Sequence, residues 1–115
     1  MVFMAERRRP SAELLRHLRK ARAARIDCLR LCRKVEVLDD LRALTAHGDV
    51  GFRAVLKAEA EWCSAELRAR EADYEQICRD IADVARLCGD TEKATRWTAE
   101  ADAIAARLNA EGRVV

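Results

Sequence analysis

Apolar side chains recur at steps of three and four along almost the whole of this 115-residue chain. In the first third they are Leu14, Leu18, Ala21, Cys28, Leu31 or Cys32, Val35, Leu38, Leu41 and Leu44, with one gap at Arg25. That spacing is the period of a helix and not of a strand. It predicts a first helix from about Ser11 to Ala46, with Ser11 as its N-cap behind the chain's one proline, Pro10. At 1.5 Å per residue such a helix is about 50 Å long. His47-Gly48-Asp49-Val50-Gly51 ends it, because two glycines within four residues favour a tight turn. A second helix is predicted from about Phe52 to Leu87. Its seam is Phe52, Val55/Leu56, Glu59, Trp62/Cys63, Glu66/Leu67, Tyr74, Ile77/Cys78, Ile81, Val84/Ala85 and Cys88, and Gly89 is its stop signal. A third runs from about Thr91 to Asn109, capped by Asp90 or Thr91, with Ala94, Trp97, Ala101, Ile104 and Leu108 on one face.

Short turns make neighbouring helices antiparallel. Folding the first turn about residue 48 brings Leu38 near Glu59, Val35 near Trp62 and Cys32 near Cys63. Folding the second about Gly89 sets Trp97 opposite Ala82, Ile104 opposite Glu75 and Leu108 opposite Glu71. The expected fold is all-α, an antiparallel hairpin of two long helices plus a shorter third. The third helix reaches only the end of the hairpin formed by residues 11–27 and 70–88. The other end, residues 28–69, has two helices to cover Leu31, Val35, Leu38, Leu41, Leu44, Phe52, Val55 and Trp62. Such a stripe marks an interface, and a homodimer completing a four-helix bundle is the expectation. The alternative is a bend that divides the long helices into four shorter ones within a monomer. The organisation is then a flexible basic N-terminus over 1–10, one helical-bundle domain over 11–109 and a frayed tail over 110–115.

Composition agrees with one compact helical class. Half of the residues are apolar and 37% are charged, which excludes a disordered chain. No run approaches the roughly 20 apolar residues of a membrane span, and no membrane partner is expected. Met1-Val2-Phe3-Met4 followed by Ala5-Glu6 and Arg7-Arg8-Arg9 does not read as a secretory signal, so the five cysteines point to free thiols and a cytoplasmic location.

Charge changes the picture more. Residues 1–34 carry eleven Lys/Arg against three Asp/Glu, while the rest of the chain carries eleven against seventeen. Arg7, Arg8, Arg9, Arg16, Arg19 and Lys20 are candidate anion-binding residues, continued by Arg22, Arg25, Arg30, Arg33 and Lys34. These cations surround the helix and have no aromatics between them for base stacking. The hairpin register offers another role. Glu66, Glu71, Asp73, Glu75, Asp80 and Asp83 lie on the antiparallel stretch of the second helix, so the charge split is expected to fix the pairing of the two helices. Only Arg7, Arg8 and Arg9 are then left for an external partner.

Other chemistry is sparse. The register gathers Cys28, Cys32 and Cys63, a set of thiols able to hold a soft metal ion or simply to pack as small apolar groups. The Glu-x-x-His pairs of a carboxylate di-metal bundle are missing at both His17 and His47. Glu59 and Glu66, seven apart beside the seam, suit the flanking charges of a coiled coil. No Gly-x-Ser-x-Gly, phosphate loop or dinucleotide fingerprint occurs. A Cys–His pair between His17 and Cys78 is the one nucleophile–base arrangement the register permits, and a buried contact between helix faces explains it more simply.

Two stretches carry resemblances. Leu38-Asp39-Asp40-Leu41, then Gly48-Asp49-Val50-Gly51-Phe52-Arg53 and an uninterrupted helix to Leu87-Cys88-Gly89, resembles the first half of a ferritin-like family of uncharacterised bacterial four-helix proteins. The match covers residues 38–90 and implies a four-helix fold. Here Glu61-Trp62-Cys63-Ser64 stands where that family breaks its middle, and Arg42 and Ala43 stand where it has an acidic residue. Ala82 to Leu108, through Leu87-Cys88-Gly89-Asp90, resembles a tetratricopeptide-type helical hairpin. Together these features lead to the expectation of a non-enzymatic helical protein with no cofactor. It binds a macromolecular partner as an adaptor, chaperone or inhibitor does, and self-associates through residues 28–69. The alternatives are a nucleic-acid-associated protein using the basic first helix, and a ferritin-like or thiol metal-binding bundle.

Overall fold

The computed structural model describes residues 12–112, and they form three helices: α1 (Ala12–Leu44), α2 (Val50–Leu87) and α3 (Thr91–Gly112). Among the described residues there is no strand. The expected Ser11 cap, the flexible segment 1–10 and Arg7, Arg8 and Arg9 lie outside them. Both long helices are continuous, so the bent four-helix alternative is not the one adopted. The long axis measures 71 Å, against 25 and 16 Å across.

Each boundary has a local cause. α1 stops at Leu44, two residues before the expected end, and Thr45 bonds back to the Leu41 carbonyl through both its amide (3.0 Å) and its hydroxyl (2.7 Å). α2 begins at Val50 rather than Phe52 because Asp49 is its N-cap, its carboxylate accepting the Phe52 amide at 3.1 Å. The Arg53 guanidinium donates to the Ala46 carbonyl across the turn at 2.7 Å. α2 ends in a Schellman arrangement: the Gly89 amide donates to Arg86 and the Asp90 amide to Ala85. Gly89 takes φ +79°, a conformation that costs any residue with a Cβ. Asp90, rather than Thr91, caps α3 by accepting the Lys93 amide at 3.1 Å. α3 continues to Gly112, so the fraying expected from Ala110 does not begin there.

α2 is the central element, with α1 and α3 both packed on it. Along α1 the buried and half-buried positions are Leu14, His17, Leu18, Ala21, Ala24, Cys28, Leu31, Val35 and Leu38, which apart from Leu18 alternate in steps of three and four. That is the 3.5-residue period of a coiled-coil seam, and Ala24 carries it past the gap at Arg25. At one end all three helices contribute to a core of Leu14, Ala21, Tyr74, Cys78, Ile81, Val84, Ala101 and Ile104, edged by Leu18, Ile77, Trp97 and Leu108. At the other end only Leu38, Leu56, Ala60 and Cys63, with Val35 beside them, close the hairpin. The expected registers hold to within a turn: Lys34 meets Glu59, and Arg107 meets Glu71.

Candidate functional site

Most of the exposed large apolar side chains lie at the two-helix end, with Leu15, Ile26 and Leu87 exposed elsewhere. Leu44 and Val55 are 83% and 65% exposed, Trp62 is 58% and Phe52 is 49%, and Leu41 and Val37 are less so. Their common side follows from one contact. The Lys34 ammonium bonds the Glu59 carboxylate at 3.0 Å across the seam, so these two residues mark the same flank of the hairpin. Helix positions three, four and seven apart share a face. Val37 and Leu41 therefore join Lys34 on α1, with Leu44 one step further. Phe52, Val55 and Trp62 likewise join Glu59 on α2. The other flank near the turn is different in character, a shallow groove bordered by Asp39, Arg42, Val50, Arg53, Ala54 and Lys57.

This sorting corrects the expected interface. Leu38 is buried between α1 and α2, and Leu31 and Val35 are half-buried in the same seam. Leu56, Ala60 and Cys63 fill the positions facing Leu38 and Val35. Leu41, Leu44, Phe52, Val55 and Trp62 remain on the surface, and Val37 joins them. Val37 was legible only through a second heptad stripe on α1, Arg30, Lys34, Val37, Leu41 and Leu44, which runs beside the buried one.

The thiols do not converge. Cys63 is fully buried with its Sγ 3.8 Å from Glu59 Oε1, Cys32 is exposed, and Cys28 is half-buried. Burial, with Glu71 and Asp27 nearby, raises the Cys28 thiol above its usual range and so disfavours the thiolate a metal requires. Among the described residues no group of three or more His, Cys, Asp or Glu side chains is placed to hold a metal ion. His17 lies in the seam with Nδ1 buried and without a hydrogen-bond partner among the described residues, and its Nε2 is 3.9 Å from Glu13. No hydrogen bond joins it to Cys78 there. Cys78 is instead paired with Tyr74. Burial pushes the Cys78 thiol up to about 11, with the tyrosine hydroxyl pulling the other way, and burial raises Tyr74 to about 12. Neither group is a nucleophile at neutral pH.

The largest departure concerns charge. Five of the six acids expected to neutralise α1 are occupied elsewhere, while Asp73 lines a shallow groove with Lys20, Asp27 and Arg70. Glu66 pairs with Arg70, Glu75 with Arg79, Asp83 with Arg86 and Glu71 with Arg107, while Asp80 accepts from Gln76. Arg79 also reaches Asp102 at 3.2 Å and Arg86 reaches Thr98 at 3.0 Å, so these arginines tie α2 to α3. The reason is proximity: a partner one turn away on the same helix costs less ordering than one across a seam. Lys34–Glu59 is the one ion pair between α1 and α2 among the described residues. Arg16, Arg19, Lys20, Arg22 and Arg30 are all exposed and take no ion pair with a described acid. Charge therefore does not fix the hairpin; the apolar seam does.

The fold defines the class, an all-α protein built as a long helical hairpin with a shorter third helix over one end. Among the described residues no helix is long and apolar enough to cross a membrane. Comparison with protein-family models, curated proteins and solved structures finds no match.

Proposed function

We propose that this is a non-enzymatic protein that works by binding another macromolecule, in the manner of an adaptor, chaperone or inhibitor, and that it self-associates through its two-helix end. The observation that carries the reading is the open face of Val37, Leu41, Leu44, Phe52, Val55 and Trp62. Side chains of these sizes and exposures leave on the order of 600 Å² open, so two copies meeting face to face would cover about 1,200 Å², the lower range of a specific interface. The face is self-complementary in kind: apolar throughout, with its flanking charges, Lys34 and Glu59, already paired to each other. A two-fold dimer would set two hairpins together as four helices and cover this apolar face.

Light scattering of the full chain at tens of micromolar tests this. The expected mass is twice 13.0 kDa. Leu44→Ser with Trp62→Ser should return it to the single-chain value while the helical circular dichroism stays unchanged, since neither side chain belongs to the buried core. A single-chain mass for the unaltered protein at that concentration rejects self-association.

A further inference from the structure

The outer face of the basic helix lies apart from the two-helix face and takes no ion pair with a described acid. From Arg16 to Arg30, α1 carries Arg16, Arg19, Lys20, Arg22, Arg25 and Arg30 against one acid, Asp27. All six are exposed, and none takes an ion pair with a described acid. Arg25 sits nearest the core, where its charge acts on Tyr74. At 100° per residue the other five fan over nearly half of the helix circumference, with Arg22 at one edge, Lys20 at the other, and Arg16, Arg19 and Arg30 between. We propose that this face binds the phosphate backbone of a double-stranded nucleic acid.

Several observations select that partner. Four of the five fanned cations are arginines, whose planar guanidinium matches a phosphate bidentately. The stretch is about 20 Å long on a straight helix. Duplex DNA offers a charge every ~1.7 Å along its axis and a major groove about 12 Å wide that admits an α-helix. Cations at both edges of the face suit a groove with phosphates on both walls. α1 has no aromatic residue, so it offers no stacking platform for single strands. A lipid surface fits less well. The exposed apolar residues Leu15, Ile26 and Leu29 fall on one line with Arg19, Arg22 and Arg33, so arginines interrupt the apolar strip that an adsorbing helix must insert. With no base-reading constellation, binding is expected to be independent of sequence.

The test uses the full chain and a fluorescent random-sequence 20-base-pair duplex, with anisotropy measured across a salt series. Binding should weaken steeply with salt. Arg16→Gln/Arg19→Gln/Arg22→Gln should make the slope of log K against log salt shallower by roughly three and lower affinity by about tenfold or more. These side chains are exposed and take no ion pair with a described acid, and unchanged circular dichroism checks that the fold is kept. Lys57→Gln/Arg68→Gln, which removes charge elsewhere, should leave affinity within about twofold. Four outcomes overturn the proposal: no duplex binding at low salt, an equal loss in the Lys57/Arg68 variant, tighter binding to a single strand of the same sequence, or tighter binding to phosphatidylserine vesicles than to the duplex. Because the readout does not involve the two-helix face, it stands or falls separately from self-association.

Discussion

Single residues divide sharply between packing and availability. His17 occupies a seam position where an apolar side chain belongs, with Nδ1 buried and unmatched among the described residues. Leaving a buried polar atom without a partner costs about 1–3 kcal/mol, and its one acidic neighbour, Glu13, is 3.9 Å away and exposed. His17→Leu should therefore stabilise the protein by about 1 kcal/mol at pH 7, read as a higher urea midpoint with an unchanged slope. Tyr74 and Cys78 give a second residue-scale expectation. Both hold their protons more tightly in the folded chain, Cys78 to about 11 and Tyr74 to about 12 against ordinary values of 9.0 and 10.0. The folded state therefore binds more protons above pH 9, so stability is full below that value and falls as pH rises from 9 toward 12. The slope approaches 1.4 kcal/mol per pH unit for each group that is ionised only when unfolded. Urea midpoints at pH 8, 10 and 11 measure the fall, and Tyr74→Phe should remove the part that begins above pH 10.

At the scale of the elements, turn chemistry and helix period do most of the work, and both are local. The Asp49 and Asp90 caps and the left-handed Gly89 need only a few neighbouring residues, which is why the sequence places every helix to within two or three positions. Gly89→Ala meets no atom within 4 Å, so its cost is the backbone conformation alone, about 1 kcal/mol. Asp90→Ala removes the carboxylate that accepts the Lys93 amide and should cost a similar amount. Measured together by thermal unfolding, the two should fall short of additivity, because both act on one turn. The period, and its phase as far as Leu38, are legible in the sequence; beyond Leu38 the phase is not. Leu38 and Leu41 are both apolar and three apart, yet Leu38 faces α2 and Leu41 the open flank. A heptad stripe of mixed character beside the seam, Arg30 to Leu44, hid Val37 from a reading that followed hydrophobicity alone.

At the scale of the whole molecule, the decisive feature is that α3 covers one end of the hairpin and leaves the other bare. Helix lengths already implied this, since a helix of about 20 residues cannot span one of nearly 40. The length mismatch leaves Leu44, Phe52, Val55 and Trp62 in water, and the self-association expected at that end follows from the need to cover them. The charge asymmetry is the counterpart at the other end. α3 supplies Arg107 for Glu71, drawing that acid of α2 away from α1, and adds Asp102 to the Arg79 pairing.

By itself the sequence determined the helices, the antiparallel order and the approximate register, because each depends on contacts one turn away or on the length of a short loop. Only the tertiary structure decided which of two adjacent apolar stripes is buried, that the three seam cysteines do not meet, and which acids pair with which bases. Those outcomes depend on the direction each side chain leaves its helix and on competition among partners that are distant in sequence. A difference of one residue in seven reverses them without disturbing the hydrophobic pattern.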